Sequence, residues 1–461
     1  MEERTTLSAD SVAARRARVT ARMDRLPSWG LSPSVYMVLG LCYLLAFYDI
    51  SVIGVALPRI IETLHLSGAG IELPITANLV GYIIGAYLLG NVADRLGRRR
   101  TLAIVMVVLT VSSVLTALSQ NAAELAIFRF LAGIGIGSQI TLSATLIGEF
   151  APAGKRGRYL ALNIVWAAVG NIVPALIAIP LLAGPGSTGW RTMFGLAGLV
   201  VLTLPLFRDR LLPESPRWLA AHGDLDRADR IVGEMEQRVR AKTGSELPPV
   251  PDLPAEEEVK GFPTAALLKP PFLSRVAVVF AFWFVLYFAI YAFVAYQTTL
   301  IGKLGTSLPG ALVITSVGFA GGIVGAAIQP LFIDRIERKH NIMIGLAGFV
   351  IGLVLLATSV GPVMVAAGAF LSSLGVFVTL VPAYAYTGEV FPTRARGAAM
   401  GVGDGFGHAG GAVQPFVVLP MLASVGARPV FWLMAGVVVL AMLIMTAGLR
   451  TSRRPLTELA R

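Results

Sequence analysis

An ionised side chain at the centre of a bilayer costs about 2.5–3.5 kcal/mol on insertion scales, so such a residue marks function by default. Four of them stand inside long apolar runs of this sequence: Asp49, Arg129, Asp404 and His408. Asp49 lies about eight residues from the far end of its run, roughly 12 Å deep at 1.5 Å per residue. Arg129 lies about seven residues from the same surface on a run of opposite direction, roughly 10 Å deep. Their matching depth predicts a pair, because pairing lowers the cost of burying both charges. A pair that breaks and re-forms lets Asp49 load and release a proton; a pair that never opens is only structural. Asp404 and His408, at i and i+4, share one helical face. The imidazole can join a proton path or donate a hydrogen bond to a cargo, or the two residues simply tie helices together.

A second group of residues could line a binding cavity. Asn163 and Asn171 lie on one run, Tyr287 and Tyr291 on one face of another, and Tyr384 stands five residues before Glu389. Gln139, Gln297 and Gln414 add amides at other depths. Aromatic walls with few polar groups suit a small, partly apolar metabolite, although each residue also has a packing role open to it. No Ser/His/Asp set, metal-spaced histidine cluster or phosphate-cradling loop stands in a plausible context. The glycines after Arg129 follow no strand, so a dinucleotide site is rejected. The chain reads as a non-enzyme without cofactor or metal.

These residues need membrane helices to position them. Of 461 residues, 55% are hydrophobic and 14% charged, with a mean hydropathy of +0.73. An ordinary soluble chain carries about 25% charged residues, so a soluble enzyme, a disordered tail protein and a disulfide scaffold are excluded. Cys42 is the single cysteine, so no internal disulfide can form. Apolar runs recur at about 34–57, 72–92, 101–119, 123–149, 158–183, 190–207, 274–301, 308–333, 341–359, 363–389, 397–424 and 429–449. Each has about the 20 residues a span needs. Residues 1–33 form a polar, Arg-rich arm, followed by an anchor rather than a cleaved signal. The one long break, 208–273, is rich in charge and proline, and 224–242 within it reads as an exposed amphipathic helix.

The formal net charge of +11 follows from topology. With the N-terminus inside, only Arg59, Arg191, Lys303 and Arg428 fall in outer loops, and Arg129 in a span; the other basic residues are cytoplasmic. Both termini are then cytoplasmic, residues 450–461 form a tail, and no nucleic-acid partner is needed.

Two motifs recur at one offset. Asp94, Arg95 and Arg98 follow span two; Asp334, Arg335 and Arg338 follow span eight, 240 residues later. Glu149, Pro152, Arg156 and Gly157 end span four; Glu389, Pro392, Arg396 and Gly397 end span ten, again 240 residues later. Gly81 and Gly85 match Gly321 and Gly325 at the same offset. A constant offset predicts two six-helix halves, 34–207 and 274–449, joined by the long linker, with a substrate site between them near the midplane. The repeated charges at the helix ends are candidates for salt bridges that close an inner gate.

These motifs resemble the major facilitator superfamily. Gly90, Asp94, Arg95, Gly97, Arg98 and Arg99 are similar to its signature between spans two and three. Arg129 with Gly133, Gly135 and Gly137 is similar to its span-four motif. Pro213-Glu214-Ser215-Pro216-Arg217-Trp218-Leu219, and Glu389 to Gly397, resemble the sugar-porter branch. The resemblance covers nearly the whole chain. It implies an all-α membrane protein with twelve transmembrane helices in two pseudo-symmetric bundles. It implies that Asp49, facing Arg129, carries the proton, with Phe47 in place of the branch's glycine. It places Asn171 where the branch has a sugar-binding glutamine and Tyr384 where it often has a tryptophan. The branch's Gln-Gln pair is missing from span seven, and Pro330 and Glu337 replace the glycines of the first Asp-Arg motif.

The sequence therefore predicts a monomeric secondary transporter of the cell membrane, embedded in lipid. It moves a sugar-like or organic or aromatic acid by alternating access as a proton symporter. A uniporter and a proton-coupled drug or metabolite antiporter are the alternatives.

Overall fold

The computed structural model describes residues 9–152, 155–184, 188–209, 211–251, 269–270, 272–333, 335–391 and 393–451, apart from the side chains of 9–11 and 393–398. Twelve helical segments among them are long and apolar enough to cross a membrane. The first six are α2 (Pro33–Leu64), α3 (Ala69–Leu96), α4 (Arg98–Leu118), α5 (Ala122–Phe150), α6 (Arg156–Leu181), and α7 (Gly189–Ala197) continued by a 3-10 segment (Gly198–Leu206). The second six are α10 (Phe272–Lys303), α11 (Leu308–Phe332), α12 (Arg338–Thr358), α13 (Pro362–Val390), α14 (Thr393–Val413) continued by α15 (Pro415–Val425), and α16 (Ala427–Thr446). Large apolar side chains such as Tyr87, Leu118, Ile127, Leu202, Val363 and Leu443 face outward, as a lipid-facing surface requires.

Local chemistry fixes the ends. Ser32 caps α2 ahead of Pro33, whose missing N–H costs nothing in the first turn. At α5, Asn121 Oδ1 accepts from Glu124 N at 3.0 Å, while Glu124 Oε2 accepts from Gln120 N at 2.8 Å, a reciprocal cap. The span-eleven helix breaks after Gln414 because Pro415 cannot donate to the helical ladder. α2 runs seven residues beyond the expected 57: Pro58, Arg59 and Glu62 interrupt the apolar run but not the helix.

The two halves repeat the same pairings. α3 packs on α5 and α2 on α6; in the second half α11 packs on α13 and α10 on α14. The closest approach is α3 to α5. A Cβ on Gly133 would lie 2.0 Å from Asn78 O, and one on Gly137 would lie 2.2 Å from Tyr82 O. Only glycine lets these backbones touch. Gly321 and Gly325 of α11 meet Phe370 O and Leu374 O just as Gly81 and Gly85 of α3 meet Phe130 O and Ile134 O. The bundles meet through α2 with α10, α3 with α14, and α6 with α11.

The N-terminal arm and linker form a further layer on one side, called here the linker side. The arm, expected as a polar extension, is helical as α1 (Ala9–Asp24), and the linker carries α8 (Pro216–Ala221) and α9 (Leu225–Thr243). The expected amphipathic helix forms one residue along, but its apolar face is covered. Ile231, Val232, Met235 and Val239 share a buried cluster with Val19, Met23 and Leu26. Arg22 and Arg25 each pair with Glu236, at 2.8 and 2.6 Å, and Arg15 pairs with Asp226 and Asp229. Burial opposes the charge on Glu236, but the two guanidinium hydrogen bonds outweigh it and hold its carboxyl below the usual range.

Candidate functional site

Asp49 and Arg129 are in direct contact inside the first bundle. Arg129 Nη1 lies 2.5 Å from Asp49 Oδ1, with Arg129 0% and Asp49 2% exposed. Ser113 of α4 donates to Asp49 Oδ2 at 2.8 Å. The Arg129 guanidinium lies 5.4 Å from the Phe194 ring centroid of α7, and Asn78 Nδ2 of α3 donates to Arg129 O at 2.9 Å. Five helices thus enclose one ion pair. Helical phase then divides α2: Tyr48, Asp49 and Val52 are buried, while Tyr43, Phe47 and Ile50 line a central cavity. Asp49 and Arg129 do not line that cavity. Their link to it is α2 itself, where Ser51 donates to Asn171 Oδ1 at 2.5 Å, and Asn171 does line it.

The cavity lies between the bundles. Its walls come from α2, α3, α5 and α6 on one side and α10, α13 and α14 on the other. Away from the linker the bundles touch. A Cβ on Gly54 would meet Ala295 O at 2.7 Å, and Thr76 Oγ1 donates to Ala412 O across the bundles at 3.0 Å. Aromatic rings dominate: Tyr43, Phe47, Tyr82, Tyr287, Tyr291, Phe377 and Tyr384, with His408. His408 of the second half stacks on Tyr82 of the first, centroids 3.7 Å apart and planes at 14°. Gly407, Gly410 and Gly411 draw α14 onto α10 and so bring His408 to Tyr287 and Tyr291.

Asp404 organises the linker-side end of these rings. Tyr384 OH donates to Asp404 Oδ1 at 2.7 Å and Tyr287 OH approaches the same oxygen at 3.2 Å; the two phenol oxygens are 2.5 Å apart. His408 Nδ1 contacts Asp404 O at 2.8 Å and lies 3.4 Å from Asp404 Oδ2. The i, i+4 pair predicted from spacing is therefore joined to two of the predicted tyrosines.

Four expected cavity residues lie elsewhere. Asn163, Gln139, Gln297 and Gln414 are buried but absent from the cavity wall. A polar residue in an apolar span signals burial, but spacing alone does not say which helix face meets the cavity. Gln297 faces α11, where a Cβ on Gly318 would meet its amide, and Gln414 lies beside the Tyr296 hydroxyl. The sequence reading missed Ser51, Ser113, Tyr43 and Tyr82. Ser113 carried a faint signal, as one of two adjacent serines inside an apolar run.

The repeated charges sit at the linker-side helix ends. Arg98 pairs with Asp94 at 2.5 Å and with Glu149 at 3.4 Å; Arg338 pairs with Glu389 at 3.1 Å. Each of these bonds ties helices within one bundle. Arg156 pairs with Asp24 of α1, and Arg95 and Arg335 are exposed. Asp334 lies outside the described residues, as do Pro392 and the side chain of Arg396. Glu214, quoted from the Pro-Glu-Ser-Pro motif without a role, caps α4: its carboxylate accepts from Arg98 N at 3.0 Å and Arg99 N at 3.2 Å. Gly97, at φ 99°, makes the sharp turn that brings those amides to it.

Twelve membrane helices in two bundles about a central cavity are the major facilitator fold. The xylose transporter XylE from E. coli, in a partially occluded inward-open conformation, superposes with a TM-score of 0.72. That match covers 90% of this chain and 96% of that one at 21% identity. The family model described as "Sugar (and other) transporter" matches residues 35–461, so the chain belongs to that family. It is similar to the putative metabolite transport protein YyaJ of Bacillus subtilis (strain 168), 29% identical over 84% of this chain and 85% of that protein. The arabinose-proton symporter of the same organism is 28% identical over 95% and 96%. The protein is a multi-pass membrane transporter of the sugar and metabolite class, not an enzyme.

Proposed function

We propose that the protein moves a small metabolite by alternating access as a proton symporter, with Asp49 as the coupling carboxylate. The observation that carries this reading is the Asp49–Arg129 contact, sealed from solvent yet joined through Ser51 to Asn171 in the cavity wall. Cargo binding at Asn171 shifts α2, which loosens the ion pair and lets Asp49 take a proton; its return re-forms the pair. The similarity to an arabinose-proton symporter supports coupling. The cavity residues Asn171, Tyr287, Tyr291, Tyr384 and His408 hold the cargo, with Asp404 behind the two phenols it accepts from. The linker side is cytoplasmic, in keeping with its basic residues, and the monomer in the cell membrane is the working unit. The helix-end charges Asp94, Arg98, Glu149, Arg338 and Glu389 stiffen each bundle's inner rim as it rocks.

A uniporter is the second reading. It is favoured by Arg129 and Ser113 between them already engaging both carboxylate oxygens of Asp49. Uphill uptake separates the two. One charge crossing 100 mV supplies about 2.3 kcal/mol, roughly fifty-fold accumulation before any pH contribution. Accumulation abolished by an uncoupler supports the symporter; uptake that stops at equal concentrations under a full gradient supports the uniporter.

A further inference from the structure

We propose that the cargo is an organic cation, a small amine or protonated nitrogen base, held by a tyrosine cage that the Asp404 carboxylate backs from behind the wall. This rests on the transporter reading and names its substrate class. The charge inventory comes first. No lysine or arginine lines the cavity among the described residues, and Arg129 is wholly buried against Asp49. A carboxylate cargo would meet no fixed positive charge.

Asp404 stands behind the wall as the shared acceptor of two of its tyrosines. Its side chain is 21% exposed, and both of its phenol partners line the cavity. His408 Nδ1 lies 2.8 Å from a carbonyl oxygen, which can only accept, so Nδ1 carries the hydrogen. In the neutral imidazole this leaves Nε2 with a lone pair. The polar neighbours of the carboxylate therefore offer it hydrogens, and the imidazole's free nitrogen is a further acceptor. Around these acceptors stand the rings of Tyr43, Tyr82, Tyr291 and Phe47. Rings of this kind attract a cation through the negative potential of their faces. A sugar is served poorly. Apart from tyrosine hydroxyls, only Asn171 and His408 bring polar side-chain atoms to the wall, and the Asn171 carbonyl is already taken by Ser51.

Binding to the purified full-length protein tests this with three probes: 2-phenylethylamine, 3-phenylpropionate and D-xylose. The first two share a ring and differ in charge. The amine should bind at least about ten-fold more tightly than either other probe. Asp404→Asn should remove that preference and Asp404→Glu should restore it, with both variants eluting as folded protein. Tighter binding of phenylpropionate, which would make a protonated His408 the receptor, overturns the proposal. So does tighter binding of xylose, or no binding by any probe. If the amine binds but no pH gradient drives its uptake, the coupling reading fails and this one stands.

Discussion

Arg129 is the residue whose loss should be felt most. It is fully buried, and its removal leaves the Asp49 carboxylate without a counter-charge in a medium that cannot solvate it. Removing one partner of such a pair costs about 3–5 kcal/mol, whereas replacing both with neutral groups is often tolerated. Arg129→Met should therefore lower the thermal unfolding temperature in detergent sharply, and adding Asp49→Asn should recover most of it. Additive losses would show that the two residues do not act as a pair. Glu214→Ala tests the other reading made at this scale. It leaves two amides of α4 without their acceptor and should cost about 0.5–2 kcal/mol, the range for a lost helix cap. Asp49 and Arg129 were legible because depth along a helix follows from counting residues. Ser113 and Glu214 were not, because their partners are distant in sequence and nothing in spacing links them.

The helices themselves were largely legible, since a bilayer demands long apolar runs and punishes anything else. What spacing did not give was the face each helix turns to the cavity. Asn171, Tyr287, Tyr291 and Tyr384 line the cavity, whereas Gln139, Gln297, Gln414 and Asn163 are buried outside its wall. The α3–α5 contact carries a sharp prediction. Gly133→Val puts a side chain where a backbone carbonyl already lies within 2.0 Å of the first carbon. Overpacking costs about 1–3 kcal/mol even where neighbours can shift, and a backbone cannot easily do so. The variant should aggregate on extraction or melt early; a wild-type melting curve would mean that the helices do not touch there.

The α1–α9 layer depends on pH in a direction that follows from Glu236. Its folded-state carboxyl titrates below the ordinary value of 4.5, so its stabilisation is complete above that value. It is lost as pH falls through the lower, folded value. Amide protection in α1, measured relative to the intrinsic exchange rate at each pH, should stay high near neutrality and fall as the pH drops below 4.5, and Glu236→Gln should lower it already at pH 7. Slow exchange of that variant at neutral pH would show that apolar packing alone holds the layer. The arm was read only as a polar, Arg-rich segment because six arginines dominate its first 25 residues. The acidic partners that tie it down lie about two hundred positions away in the chain.

At the scale of the molecule, two pseudo-symmetric bundles meet on the side away from the linker through Gly54 with Ala295 and Thr76 with Ala412. The 240-residue offset made that symmetry visible in the chain, because each motif had to recur at the same helix end. The cargo was not visible, because the cavity is assembled from seven helices whose rotations only packing decides. The account turns on whether the buried carboxylate of α2 carries the proton. Its most direct test is uptake into proteoliposomes of whichever probe binds, with the interior alkaline, comparing wild type with Asp49→Asn. Wild type should concentrate the probe above its external level, and the variant should equilibrate it while still exchanging labelled for unlabelled probe. Equal accumulation by the two proteins would contradict the assignment.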